Sequence, residues 1–191
     1  MTLVITSIFA GVGVTVLGYY APLMIASSII AAIGCGLLAT LKPDSYHGYW
    51  IGYQALTGIG IGMGMQQPLI AVQTVLDISL VPIGTSVIVF TQTIGGALFV
   101  SIGQSVFTNK LSEGLVKHAP SVDPKVILQT GATAIQKTID KAVLPGVTIA
   151  YNDALTQAFL VSAVMAAMTI IGSAAIEWKS VKGKKIEMAA A

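Results

Sequence analysis

Residues 50–76 read WIGYQALTGIGIGMGMQQPLIAVQTVL, a stretch in which no Lys, Asp or Glu occurs. A helix rises about 1.5 Å per residue, so about 20 mostly apolar residues are needed to cross the hydrocarbon core of a bilayer. This stretch is long enough, and it contains no charge that would have to be buried in lipid. It therefore predicts a membrane-spanning helix, and much of the remaining chain has the same character.

Four other segments are mainly apolar, at residues 1–17, 21–41, 83–107 and 154–178, the first of them being short. Of the whole chain, 54% is apolar and 9% is charged, against roughly 25% charged residues in soluble domains. A soluble domain of this size has too little interior to bury so much apolar surface. We therefore predict an all-α, polytopic membrane bundle of about five transmembrane helices.

The polar residues divide the chain into regions. Four transmembrane helices are predicted in residues 1–111, and a polar loop with short amphipathic helices in residues 112–153. The fifth transmembrane helix, 154–178, is followed by a basic tail at 179–191. Four Lys residues lie in that tail close to the last helix, which favours a cytoplasmic C-terminus, although the five Lys residues in the polar stretch 108–153 nearly balance them.

Alternating glycines mark the third predicted helix. Gly58 and Gly62 share one face, while Gly60 and Gly64 form a second pair on the nearly opposite side. Small residues allow neighbouring helices to approach closely, and Pro68 removes a backbone donor and predicts a kink near Gly64. Helix packing and a hinge in a moving bundle are the two roles that this pattern allows.

Uncharged polar side chains occur near the middle of two predicted spans, at Gln66, Gln67, Thr91 and Gln92. If the two helices are antiparallel, Gln67 and Gln92 lie at a similar depth. Amides at this depth are costly unless they meet polar partners or water. One interpretation is an interhelical hydrogen bond, worth about 0.6 kcal/mol on average. The other is that these side chains line a polar cavity that faces a substrate.

Reactive constellations are absent from the sequence. His47 and His118 lie in polar segments without the spacing of metal ligands, and Cys35 is the only cysteine. All ten basic residues are Lys, and no Lys-rich face carries interleaved aromatic residues, which argues against nucleic-acid binding. We therefore predict no enzymatic activity, no metal site and no cofactor.

Several stretches resemble one family. They are the turn Gly18-Tyr19-Tyr20-Ala21-Pro22, the run 50–68, and the stretches 82–96 and 144–155, which follow one another in the same order across nearly the whole chain. In these residues the chain is similar to fungal major-facilitator efflux pumps of the fourteen-span drug:proton antiporter branch. The run 50–68, which ends in Gly64-Met65-Gln66-Gln67-Pro68, is the most specific of them.

The resemblance implies that the five helices correspond to the last five of fourteen, as a partial C-terminal half of a major-facilitator fold. The N-terminal half of the transporter and one further helix would be missing. It also implies a plasma-membrane protein with an extracellular loop at 112–153 and a cytoplasmic C-terminus. The first, third and fourth helices would border the central cavity, which makes Gln66, Gln67, Thr91 and Gln92 cavity candidates.

The expected function is therefore that of the C-terminal part of a proton-coupled secondary transporter. It would export amphiphilic small molecules, such as toxins, drugs or secondary metabolites, by alternating access. Because alternating access needs two bundles that rock about a midplane site, the chain is expected to be a fragment that is inactive alone. The partners implied are the lipid bilayer, the small-molecule substrate, protons and the missing N-terminal half. The alternative is a non-transporting membrane protein that acts as a structural or partner subunit.

Overall fold

The computed structural model describes residues 1–130, 134–135 and 139–181. Within them the chain forms helices α1 (Thr2–Leu17), α2 (Ala21–Leu38), α3 (His47–Gly64), α4 (Gln67–Val75), α5 (Val81–His118), α6 (Pro124–Thr130) and α7 (Leu144–Ala175). Residues 182–191 of the predicted basic tail, and residues 131–133 and 136–138 of the predicted amphipathic segment, lie outside the described residues.

The helices have the lengths that a membrane requires. In the described part of the chain, four stretches are long and apolar enough to cross a bilayer, namely α2, the pair α3 and α4, α5, and α7. Helix α1 is apolar but shorter. The prediction of an all-α, polytopic membrane helix bundle is confirmed, and the chain is a multi-pass integral membrane protein.

Two helices extend well beyond the predicted spans. Helix α5 continues past residue 107 to His118, and α7 begins at Leu144 rather than at residue 154. The 38 residues of α5 correspond to about 57 Å, against a hydrocarbon core of about 30 Å. We call the projecting ends of α5 and α7, together with α6, the cap.

The cap has a small apolar core of its own. Leu111 and Leu115, one turn apart on α5, are fully buried, as are Val147 and Ala150 on α7, and Ile127 of α6 is buried against them. Helix α5 therefore does not end where its hydropathy falls, because the continuing apolar stripe finds a partner in the first turns of α7.

Glycines set the packing of α3, which lies between α1 and α2. A Cβ atom added to Gly62 would lie 2.5 Å from the carbonyl oxygen of Leu3 in α1, and one added to Gly60 would collide with the backbone of Ala31 in α2. Gly58 likewise faces α1, and Gly64 faces α2. The other helices complete the bundle, since α2 also packs against α7, and α7 packs against α5.

Helix α5 is covered only near its ends. Its last turns pack against α7, and near its start Gly84 meets Val72 and Leu76 around the end of α4. Between these contacts, every residue of 89–102 except the half-buried Gly95 is exposed. The middle of α5 is therefore uncovered around most of its circumference. We call this uncovered surface of residues 89–102 the open face; it carries apolar residues together with Thr91 and Gln92.

Candidate functional site

The break between α3 and α4 contains the first group of predicted site residues. Helix α3 ends at Gly64 and α4 begins at Gln67, with Pro68 in its first turn. Because Pro68 has no N–H, the carbonyl four residues earlier cannot receive its usual helical hydrogen bond. The structure thus interrupts the helix next to the kink that the sequence predicts.

Gln67 is buried inside the bundle at this break. Its side chain is fully inaccessible, and its Nε2 donates a hydrogen bond to the carbonyl oxygen of Met63 at 2.9 Å. Its Oε1 is buried and has no hydrogen-bond partner among the described residues. A buried amide oxygen without a donor is unusual, since most buried polar atoms are paired with protein or water. Gln66 is half-buried and precedes the first turn of α4.

Thr91 and Gln92 lie in a different environment, on the open face of α5. Both are exposed, and the Thr91 hydroxyl donates a hydrogen bond to the Val87 carbonyl at 2.8 Å within its own helix. Among the described residues no hydrogen bond joins Gln92 to Gln67. The four predicted residues are therefore divided between the α3–α4 break and a surface that this chain leaves uncovered.

A groove between α2, α3 and α7 was not predicted from the sequence. Its volume is about 550 Å³, within the roughly 300–1,000 Å³ of small-molecule pockets. The walls are mainly apolar, and hydroxyl groups lie along α2 and α7, where Ser28 and Ser173 form a hydrogen bond of 3.1 Å. The signal in the sequence was the small polar residues Ser27, Ser28 and Ser173 inside apolar runs, which spacing alone did not bring together.

Charged groups lie away from these positions. The two ion pairs of the described ranges are exposed: Lys110 with Glu113 at 2.7 Å in the cap, and Lys179 with Glu177 at 3.0 Å beyond the end of α7. In the same ranges no group of three or more His, Cys, Asp or Glu residues could hold a metal ion. The chemistry available at mid-membrane is that of amides and hydroxyls, which can orient a ligand by hydrogen bonding.

The sequence is closely similar to curated fungal proteins. It is 51% identical over 191 residues to the MFS-type efflux pump MFS1 of Arthroderma benhamiae, which covers 100% of this chain and 36% of the relative. It is 49% identical over 182 residues to the efflux pump roqT of Penicillium rubens, covering 95% of this chain and 34% of the relative. The aspyridones efflux protein of Neocamarosporium betae is 48% identical over 185 residues, covering 96% of this chain and 33% of the relative.

These relatives are about three times as long as the part that is shared, so the chain spans about a third of the curated relatives it matches. No protein-family model matches the sequence, and no solved structure matches it. The similarity to the fungal proteins nevertheless extends over nearly every residue of the chain and agrees with its apolar helices. The chain therefore belongs to the family of fungal MFS-type transporters.

Proposed function

We propose that this chain is the C-terminal part of a proton-coupled secondary transporter that exports amphiphilic small molecules across the fungal plasma membrane. The observation that carries the proposal is the identity of 48–51% to proteins named as efflux pumps, over 95–100% of the chain. Export would proceed by alternating access, in which two helical bundles rock about a site near the midplane. No enzymatic step is part of this function.

The exposure of the open face of α5 supports the proposal that this chain is one part of a larger assembly. In residues 89–102 this helix has almost no cover, although it contains the polar side chains of Thr91 and Gln92. A polar amide that faces hydrocarbon is unfavourable, and such residues usually face a bundle interior or a water-filled cavity. We infer that the remaining two thirds of the transporter lie against this face, and that Thr91 and Gln92 form part of a cavity wall between them.

Gln66 and Gln67 would join that wall through motion at the α3–α4 break. Gln67 is fully buried in this conformation, so a substrate could reach it only if α4 tilted away from its neighbours. Pro68 weakens the helix at this point, and the paired glycines of α3 let α1 and α2 approach its backbone closely. In this proposal Gly58, Gly60, Gly62, Gly64 and Pro68 allow α3 and α4 to change their packing during transport.

A chimera tests the function directly. The segment of the Arthroderma benhamiae pump that matches this chain is replaced by the chain itself, and the chimera is expressed in yeast that lacks its own drug pumps. We expect efflux of an amphiphilic fluorescent dye that stops when a protonophore is added, and no efflux from the 191-residue chain alone. A chimera that reaches the membrane in normal amounts without exporting dye would favour the alternative, a structural or partner subunit.

A matched pair of substitutions in the chimera tests the cavity wall. Gln92→Leu should reduce efflux per molecule without reducing membrane abundance, because it removes a polar contact from the proposed cavity. Gln104→Leu is the control, since Gln104 is also exposed on α5 but lies toward the cap and contacts Thr108 in the next turn. Equal efflux per molecule in the two variants would remove Gln92 from the cavity.

Orientation is tested separately. The proposal places the C-terminus in the cytoplasm and the cap outside the cell, as the resemblance implies. A short epitope inserted between Ser121 and Val122 of the cap should be labelled on intact cells, and an epitope after residue 191 should be labelled only after permeabilisation. The reverse pattern would overturn this orientation.

A further inference from the structure

The residues that follow α7 form a short extended segment that returns to the start of the bundle. Helix α7 ends at Ala175, and Ile176 is already in an extended conformation. Ser180 then forms an antiparallel bridge with Tyr19, in the turn between α1 and α2. We call residues 177–181 the strap. It places the end of α7 and the α1–α2 turn on the same side of the membrane.

The backbone geometry of the turn between α1 and α2 leaves a carbonyl oxygen available to accept a hydrogen bond from the strap. Gly18 ends α1 in the left-handed region, with φ of 78°, and its N–H is bonded to the carbonyl of Val14. The carbonyl of Gly18 remains free for the strap, and it accepts a hydrogen bond of 2.9 Å from the N–H of Val181. The left-handed conformation costs a glycine little, which explains the residue at this position.

Tyr20 forms a second connection. Its side chain is fully buried, and its hydroxyl donates a hydrogen bond of 2.5 Å to the carbonyl oxygen of Glu177. Burial raises the pKa of the Tyr20 phenol, so the hydroxyl keeps its proton at neutral pH and remains a donor. Tyr19, its neighbour, is exposed and contributes through its backbone.

The side chain of Val181 places the strap in a buried cluster that also contains residues of α4. It is only 4% exposed, and it belongs to a buried cluster with Val14 of α1, Tyr20 before α2, and Ile70 and Ala71 of α4. The strap therefore shares one buried cluster with three elements. One of them is the nine-residue helix that follows the break at Pro68.

We propose that the strap is a conformational lock that keeps α4 docked against the α1–α2 turn and so restricts bending at the α3–α4 break. Helix α4 is short, and the helical hydrogen bonding between α3 and α4 is interrupted. Tertiary contacts must therefore fix the direction of α4. On its other side it meets the start of α5 through Gly84. The strap supplies the contact on the side of α1 and α2. This inference goes beyond the proposed transport function and does not depend on it.

Cysteine accessibility in the whole chain tests the lock. Cys35 is the only native cysteine, so Cys35→Ala gives a background without thiols. Ala71→Cys then places a reporter on the buried face of α4, and Ala150→Cys places a second reporter in the fully buried core of the cap. In membranes, the rate of labelling by a permeant maleimide measures how often each site opens.

Val181→Asp should open the lock, because a carboxylate cannot remain in this apolar cluster. We expect labelling at position 71 to become roughly tenfold faster while the rate at position 150 is unchanged. Trp178→Ala is the matched control in the strap, since Trp178 is 60% exposed, and it should alter neither rate. Unchanged labelling at position 71 in Val181→Asp would overturn the proposal.

A milder pair of variants covers the case in which Val181→Asp unfolds the chain and accelerates labelling at both positions. Val181→Ala shortens the buried side chain, and Tyr20→Phe removes the hydrogen bond to Glu177. Each should accelerate labelling at position 71 alone. If both variants label at the parent rate at position 71, the strap does not hold α4.

Discussion

Gly60→Ala adds one methyl group at the tightest contact between α2 and α3. The new Cβ would lie 2.7 Å from the Cα and 2.9 Å from the Cβ of Ala31, whereas apolar carbons pack at about 3.5–4.0 Å. The two helices would therefore have to separate by about 1 Å, because the obstructing atoms are backbone and a Cβ that cannot rotate away. Overpacking of this kind costs about 1–3 kcal/mol.

Gly52→Ala is the matched control, because it lies in the same helix and an added Cβ there would meet nothing within 4 Å. Alanine is favoured over glycine in a helix by about 1 kcal/mol, and this gain applies to both variants. The difference between them therefore isolates the steric term. Gly60→Ala should be less stable than Gly52→Ala by about 1–3 kcal/mol, where each 1.4 kcal/mol is a tenfold change in the unfolding equilibrium.

Reversible unfolding by sodium dodecyl sulfate in mixed micelles, followed by far-ultraviolet circular dichroism, measures this difference. Gly62→Ala extends the series to the opposite side of α3, where the added Cβ would lie 2.5 Å from the Leu3 carbonyl oxygen of α1. It should also be less stable than Gly52→Ala. If Gly60→Ala and Gly52→Ala agree within about 0.5 kcal/mol, the size expected for an unconstrained surface change, the close approach of α2 and α3 is refuted.

Two further predictions concern the groove and the cap. A double-mutant cycle with Ser28→Ala and Ser173→Ala should give a coupling energy of about 0.6 kcal/mol, the average for membrane hydrogen bonds. The coupling should be no larger than this average, because both hydroxyls also contact carbonyls of their own helices. Additive effects of the two substitutions would show that the 3.1 Å contact contributes nothing. Ile127→Ala should destabilise the cap by about 2–5 kcal/mol, because the side chain is 1% exposed, and hydrogen exchange of the cap amides measures the loss. Val126→Ala, at a 43% exposed neighbour, should change little; equal effects of the two would contradict the cap core.

Sequence patterns could not predict the strap or the cap, because both features depend on contacts between residues that are far apart in the chain. Hydropathy ends α5 near residue 107, where polar residues begin, yet Leu111 and Leu115 continue its apolar stripe. Whether such a stripe extends a helix depends on a partner, and that partner lies more than 30 residues later at Val147. Similarly, the bridge between Tyr19 and Ser180 joins residues at nearly opposite ends of the chain, and no local spacing records it.

The candidate site was only partly accessible to the same reasoning. Depth in the membrane follows from position along a helix, so Gln67 and Gln92 could be assigned a similar depth from the sequence. The surroundings of these two side chains could not be assigned from the sequence, because burial depends on which neighbours occupy each helix face. The structure buries Gln67 at the α3–α4 break and leaves Gln92 on the open face of α5. The groove beside Ser28 and Ser173 is likewise a product of three helices that are distant in the chain.

The sequence by itself determined that this protein is a membrane helix bundle. The reason is that the free energy of transferring a helical stretch into lipid depends mainly on the composition of that stretch. It also placed the glycines of α3 in two pairs on nearly opposite sides, since that follows from the helical period. Only the tertiary structure decided that α1 lies on the side of Gly58 and Gly62, and α2 on the side of Gly60 and Gly64. The helical period determines which residues share a face, but the neighbour that covers this face depends on packing across the whole chain.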